Sequence, residues 1–139
     1  MSYELRDHTA DVAVEATADT LSALFAAVAD GLTAASAESV PAAGERFEFA
    51  VEAEGREALL FDYLDRLIYE RDVRLVLPAA HRCEVSEPAD DGDGWRLAAS
   101  ARGVPLDAVA AREIKAVTYS EMALERRVDG WYAYVVFDV

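Results

Sequence analysis

Apolar and polar positions along the chain alternate between two periods, and the changes of period outline the fold. From Asp11 to Ala16 the run Asp-Val-Ala-Val-Glu-Ala is apolar-rich and predicts a strand. Leu21, Leu24, Phe25, Val28 and Leu32 follow at the spacing of one helix face. Thr17, Asp19 and Thr20 stand before them as candidate N-caps, and Gly31 lies near the expected helix end. Arg46 to Glu54 alternates, with Phe47, Phe49, Val51 and Ala53 on one face and mostly glutamate on the other, as in a half-buried strand. Leu60, Leu64, Leu67 and Ile68 return to helical spacing and predict a second helix from about Arg56 to Asp72. Asp62, Asp65 and Arg66 fall on its wet side.

Strands are expected around Arg74–Leu77, His81–Ser86 and Trp95–Ala101, the last two joined by the acidic, turn-rich segment Pro88–Gly94. Gly103 to Arg112 reads as irregular chain or a short helix. Ala116–Arg127 and Trp131–Val139 flank Asp129-Gly130, a two-residue hairpin signal. An order β-α-β-α followed mainly by strands predicts an α+β, two-layer sandwich. Its sheet would be mostly antiparallel or mixed, with two main helices packed on one face. At 139 residues, 53% of them hydrophobic, the chain is expected to form a single domain, residues 1–139, around one core.

Charge narrows the possible partners. The sequence holds 27 acidic and 13 basic residues, a net charge of −14, and Lys115 is its only lysine. A carboxylate surface with so little lysine suits a salt-rich cytoplasm, where screening blunts self-repulsion, and reads as halophilic. No basic stripe runs along the sequence, so RNA and nucleotides are expected to be met only indirectly; a basic protein partner or a bound cation fits the sign. No apolar run approaches the roughly 20 residues of a membrane span, and Met1–Leu5 lacks the features of a signal peptide. A cytoplasmic protein is expected.

Candidate chemistry is sparse. Cys83 is the single cysteine, which excludes an intrachain disulfide and a cysteine-based zinc cluster. His8 and His81 are the only histidines. Cys83 lies two residues after His81, on the same face of the expected strand, although a lone cysteine there is usually a small core residue. No nucleophile elbow, P-loop or dinucleotide fingerprint is present, so no catalytic residues are assigned. Two places differ from the rest: Asp7-His8-Thr9-Ala10-Asp11-Val12 at the mouth of the first expected strand, and Val135-Val136-Phe137-Asp138-Val139. The second offers the Asp138 carboxylate, backbone carbonyls and the α-carboxylate of Val139, oxygens of the kind hard cations take. If first and last strands are neighbours, Asp11 completes an acidic pocket. With 27 carboxylates in the chain, spacing alone fixes no such geometry.

Together these motifs resemble a known family. Asp7 to Val14 (D-H-T-A-D-V-A-V) is similar to the opening signature of the archeases, and Leu60 to Tyr69 to their second helix. Lys115 to Met122 (K-A-V-T-Y-S-E-M) followed by Trp131 to Val139 (W-Y-A-Y-V-V-F-D-V) resembles their C-terminal signature. The resemblance implies an α+β fold with helices on one side of a sheet. It further implies a divalent cation, generally calcium, held by Asp11, Asp138 and Val139, with Lys115 as a further functional residue. His8 either takes part directly or shapes the loop around Asp11. The implied partner is the RtcB-type tRNA-splicing RNA ligase, whose guanylylation archeases promote and whose nucleotide use they broaden; such a protein is an activator and not itself an enzyme. Many members carry histidine after K-A-V-T-Y, where this chain has Ser120, so an imidazole-dependent role is not implied here. Two other readings compete: a chaperone-like binding module, which needs an exposed apolar patch, and a small metal-dependent hydrolase, for which only His8 is at hand as a base.

Overall fold

The computed structural model describes residues 2–7, 11–88 and 94–139, together with the side chains of all of these except 2, 6 and 7. Seven strands and two long helices follow in the order β1 (Ser2–Asp7), β2 (Asp11–Ala18), α1 (Leu21–Ser36), β3 (Glu45–Ala53), α2 (Arg56–Arg74), β4 (Val76–Ser86), β5 (Trp95–Pro105), β6 (Ala116–Arg127) and β7 (Gly130–Asp138). A single 3-10 turn, Leu106–Ala108, interrupts the stretch between β5 and β6.

The α+β class holds, with one refinement: the strands divide into two antiparallel sheets, ordered β1-β2-β7-β6 and β3-β5-β4. Helix α1 packs on β1, β2 and β7 and also on β4, while α2 packs on β6 and on β3, β4 and β5. Each helix therefore touches both sheets, and one core runs through all of them, from Val14 and Phe137 through Leu24, Phe25, Leu60 and Tyr63 to Phe49 and Leu97. A smaller cluster of Ala37, Leu77, Ala79 and Val104 closes one side.

Local sequence explains most element ends. Thr20 caps α1, its hydroxyl accepting from the Ala23 N–H at 3.1 Å, so of the three candidate caps Thr20 acts. Gly31 does not end this helix, which continues to Ser36. Instead it lets α1 approach β2, because a Cβ there would lie 2.4 Å from a Val14 methyl. Helix α2 closes on Leu75 in the left-handed conformation, with Glu57 in its first turn and Arg71 and Arg74 in its last, each complementing the helix dipole.

Three further departures from the sequence pattern have physical causes. Ser2–Asp7 is a strand paired with β2, although the alternation of the pattern there rests only on Tyr3 and Leu5, both exposed at an edge. The two short strands expected near 74–77 and 81–86 are one strand, β4, broken in register between Ala79 and Arg82, where Ala80 takes φ 50°. In the last hairpin Arg127 pairs with Gly130, so the turn residues are Val128 and Asp129. Gly130 begins β7 at φ 142°, and a Cβ there would lie 2.5 Å from the Ala18 carbonyl oxygen. Of the expected loop Pro88–Gly94, residues 89–93 lie outside the described residues. Among the described residues no helix is long and apolar enough to cross a membrane.

Candidate functional site: an aspartate pair at the end of the four-stranded sheet

The register of β2 on β7 sets Asp11 directly opposite Asp138. Their neighbours Val12 and Phe137 belong to the core, so alternation carries both carboxylates to the sheet face turned away from the helices. Asp11 is half-buried, with Oδ1 shielded from solvent, and Asp138 is exposed. Like charges directly opposite each other across a strand pair disfavour the pairing.

The start of β6 completes the arrangement. Ala116 pairs with Asp138 from the other side, and the Lys115 N–H donates to the Asp138 carbonyl at 2.8 Å. Lys115, Asp138 and Asp11 thus belong to three strand ends held in one row. Val139 follows Asp138 half-buried and packs against the core. The structure brings together Asp11, Asp138, Val139 and the Lys115 backbone; His8 lies outside the described residues.

Further along β6 the K-A-V-T-Y-S-E-M segment leaves regular pairing. The register on β7 shifts between Thr118 and Ala123, and Glu121 takes φ 56°. The Thr118 hydroxyl donates to the Val136 carbonyl at 3.1 Å and accepts from the Ser120 N–H at 3.2 Å, which pins the bulge at its base. Tyr119 is carried onto α2, where its ring stacks on Phe61 at 4.1 Å between centroids. Periodicity gave no sign of this bulge, since Tyr-Ser-Glu-Met fits an ordinary strand.

His81 and Cys83 share a strand face but make no catalytic pair. His81 Nε2 lies 2.8 Å from the Thr33 hydroxyl, while the Cys83 thiol points at the Ser22 carbonyl at 3.3 Å. Burial pushes the Cys83 thiol up to about 12, which keeps it protonated. Burial, and then the charge of Arg46, lower His81 to about 3, so it is neutral. Thr33, Ser36, Arg71 and His81 line a small cavity of about 10 Å³ between α1, α2 and β4, too small for a substrate.

The aspartate pair fits a hard divalent cation by donor chemistry, since it offers carboxylate oxygens and no sulfur. Among the described residues no group of three or more His, Cys, Asp or Glu side chains stands close enough to hold a metal. Two carboxylates alone make a thin ligand set, so the pair needs the oxygens of Val139 to approach the six or more that calcium takes.

Comparison with known proteins points one way. Residues 3–139 match the Archease protein family (MTH1598/TM1083). The archease of Thermococcus gammatolerans is 34% identical over 142 residues, spanning 99% of this chain and 98% of its own. That of Archaeoglobus fulgidus is 33% identical over 142 residues, with both chains fully covered. The solution structure of Methanobacterium thermoautotrophicum protein 1598 superposes with TM-score 0.82 at 27% identity, covering 99% of this chain and 98% of that one. A Thermotoga maritima crystal structure, described as an archease and possible chaperone, shares the fold with TM-score 0.62 at 23% identity, covering 98% and 96%. Matched along almost its whole length by the family and by these relatives, the chain belongs to the archease family.

Proposed function

We propose that this protein is the metal-dependent activator of an RtcB-type tRNA-splicing RNA ligase, promoting the ligase's guanylylation and turnover and broadening the nucleotides it uses. One observation carries the reading: strand pairing sets the aspartates of the two end motifs opposite each other, with the Lys115 N–H on the Asp138 carbonyl. In this reading Asp11, Asp138 and Val139 hold a divalent cation, calcium. Bound there, the cation supplies positive charge to phosphate oxygens at the ligase active site. Lys115, exposed beside the pair, adds a compact ammonium facing the same phosphates. The net charge of −14 suits docking on a basic protein surface in the cytoplasm.

The test is single-turnover guanylylation of the cognate ligase with and without this protein, across calcium and chelator. A metal-dependent acceleration that disappears in Asp11→Ala, with the fold retained by circular dichroism, supports the role and the site together. Full activation by a folded Asp11→Ala that still binds the ligase would sink the mechanism.

A second reading, a chaperone-like binding module, is favoured by Tyr69, Val73 and Leu75, which expose 56%, 60% and 67% of their surface at the end of α2. It requires suppression of aggregation that is indifferent to chelator.

A further inference from the structure

The three-stranded sheet gathers cations that the sequence scatters. Arg46 on β3 and Arg102 on β5 are direct cross-strand partners, and Arg82 on β4 is the partner of Ser100, two residues from Arg102 on the same face of β5. Phe47, Phe49, Leu97, Ala99 and Ala101 occupy the core side, so the arginines share the solvent side with the Ser100 hydroxyl.

Two of these guanidinium groups are held by neutral oxygens. Arg46 donates from Nε and Nη2 to Ser100 Oγ at 3.3 and 3.1 Å, and from Nη2 to the Ala80 carbonyl at 2.6 Å. Arg102 donates from Nη1 to the carbonyls of Pro41 and Ala43 at 2.8 and 2.6 Å. Among the described residues none of the three arginines has a carboxylate at ion-pair distance, whereas Arg66, Arg71, Arg74, Arg96 and Arg127 each do. Partial desolvation and the neighbouring charges of Arg82 and Arg102 hold Arg46 below its usual value. In a chain with 27 acidic residues, these three cations stand together with no ion-pair partner among the described residues, although Glu48 lies opposite Ser100 on the same face.

Bracing explains Arg46, which holds the carbonyl of the left-handed Ala80, and Arg102, which ties down the segment before β3. It does not explain Arg82, which is exposed and has no described hydrogen bond or ion pair. Beside Arg82 and Ser100 the sheet hollows over the methyl groups of Ala50 and Ala98 into an open depression of about 540 Å³. Of the three arginines only Arg82 lines this depression, together with Glu48 and Glu84, so an anion is favoured only at its Arg82 and Ser100 edge.

We propose that Arg46, Arg82 and Arg102, with the Ser100 hydroxyl, bind a phosphate group on the outer face of the three-stranded sheet. Guanidinium forks match the oxygens of a phosphate, and the Nη1 of Arg46, the Nε and Nη2 of Arg102 and every donor of Arg82 are unused by the described bonds. The carbonyls already hold two of the forks in place, so little side-chain order is lost on binding. This site lies on the other sheet from Asp11 and Asp138 and does not depend on the activator role.

The experiment is a titration of the ¹⁵N-labelled full chain with inorganic phosphate at fixed ionic strength, with chloride as control. Its readouts are the amides of Ala80, Arg82 and Ser100 and the Nε–H of Arg46. Saturable shifts confined to these groups, absent with chloride and weakened about tenfold in Arg82→Gln, are expected, tenfold being the loss of one charge-assisted hydrogen bond. Arg82 is exposed, so the variant should keep the wild-type spectrum elsewhere. A second arm uses a short oligonucleotide at matched phosphate concentration. Tighter binding at the same groups places the phosphate on a polymer, equal or weaker binding places it on a small molecule, and both support the site. Linear shifts shared with chloride, or saturation unchanged in Arg82→Gln, would overturn it.

Discussion

Replacing His81 with glutamine should flatten the acid limb of this protein's stability curve. His81 is almost wholly buried, its Nε2 on the Thr33 hydroxyl and its Nδ1 without a partner among the described residues. Burial, and then Arg46, lower it from 6.5 to about 3, while the hydrogen bond with Pro78 opposes them. The native state therefore leaves the ring neutral where the unfolded chain protonates it. A lowered histidine contributes its full stability above the unfolded value and loses it progressively as pH falls from 6.5 towards 3. At about pH 5, roughly 1.5 pH units below the unfolded value at 1.36 kcal/mol each, the loss is about 2 kcal/mol. Asp30 on α1, whose Oδ1 accepts from the His81 N–H, works the other way, because burial raises its carboxyl and favours the native state at the acid end. Glutamine keeps a donor for Thr33 and cannot titrate. Urea unfolding of both proteins at fixed ionic strength from about pH 8 to about pH 5 should therefore show curves that separate by about 2 kcal/mol in slope terms. Parallel curves would refute the claim that a buried neutral imidazole sets the acid limb.

Two packing predictions are simpler to check. Gly31→Ala gains helix propensity but drives a methyl to 2.4 Å from Val14 Cγ1, a fully buried side chain with no room to yield. A net loss of about 1–2 kcal/mol is expected by chemical denaturation, and a gain in stability would show that α1 can lift from β2 at no cost. Thr20→Ala removes the α1 cap and should cost about 1 kcal/mol, whereas Thr20→Asn should recover most of it.

Helices and central strands were legible because their apolar spacing is dense: Leu60, Leu64 and Leu67 admit one periodicity, as do Phe47 and Phe49. β1 was not, since an edge strand whose only large apolar residues are the exposed Tyr3 and Leu5 carries too little alternation to distinguish from loop. The division into two sheets was invisible for a different reason: local pattern says which residues form strands, not which strands pair. Asp11 and Asp138 were singled out as residues at opposite ends of the sequence, but only the β2–β7 register makes them neighbours. The arginine cluster escaped entirely, because residues 46, 82 and 102 form no stripe until β5 is laid between β3 and β4.

The position of β7 has a consequence for how the molecule is made. It comes after every other strand in the sequence yet lies between β2 and β6. As synthesis proceeds from the N-terminus, β3, β4 and β5 can zip together while the ribosome is still working. β2 and β6 meanwhile wait with open backbone edges, a vulnerable state for any nascent protein. Arrival of β7 closes both edges in one event and in the same motion sets Asp138 against Asp11 and beneath Lys115. Juxtaposition of the two aspartates is thus a product of that last pairing: a chain lacking β7 cannot bring the two carboxylates together.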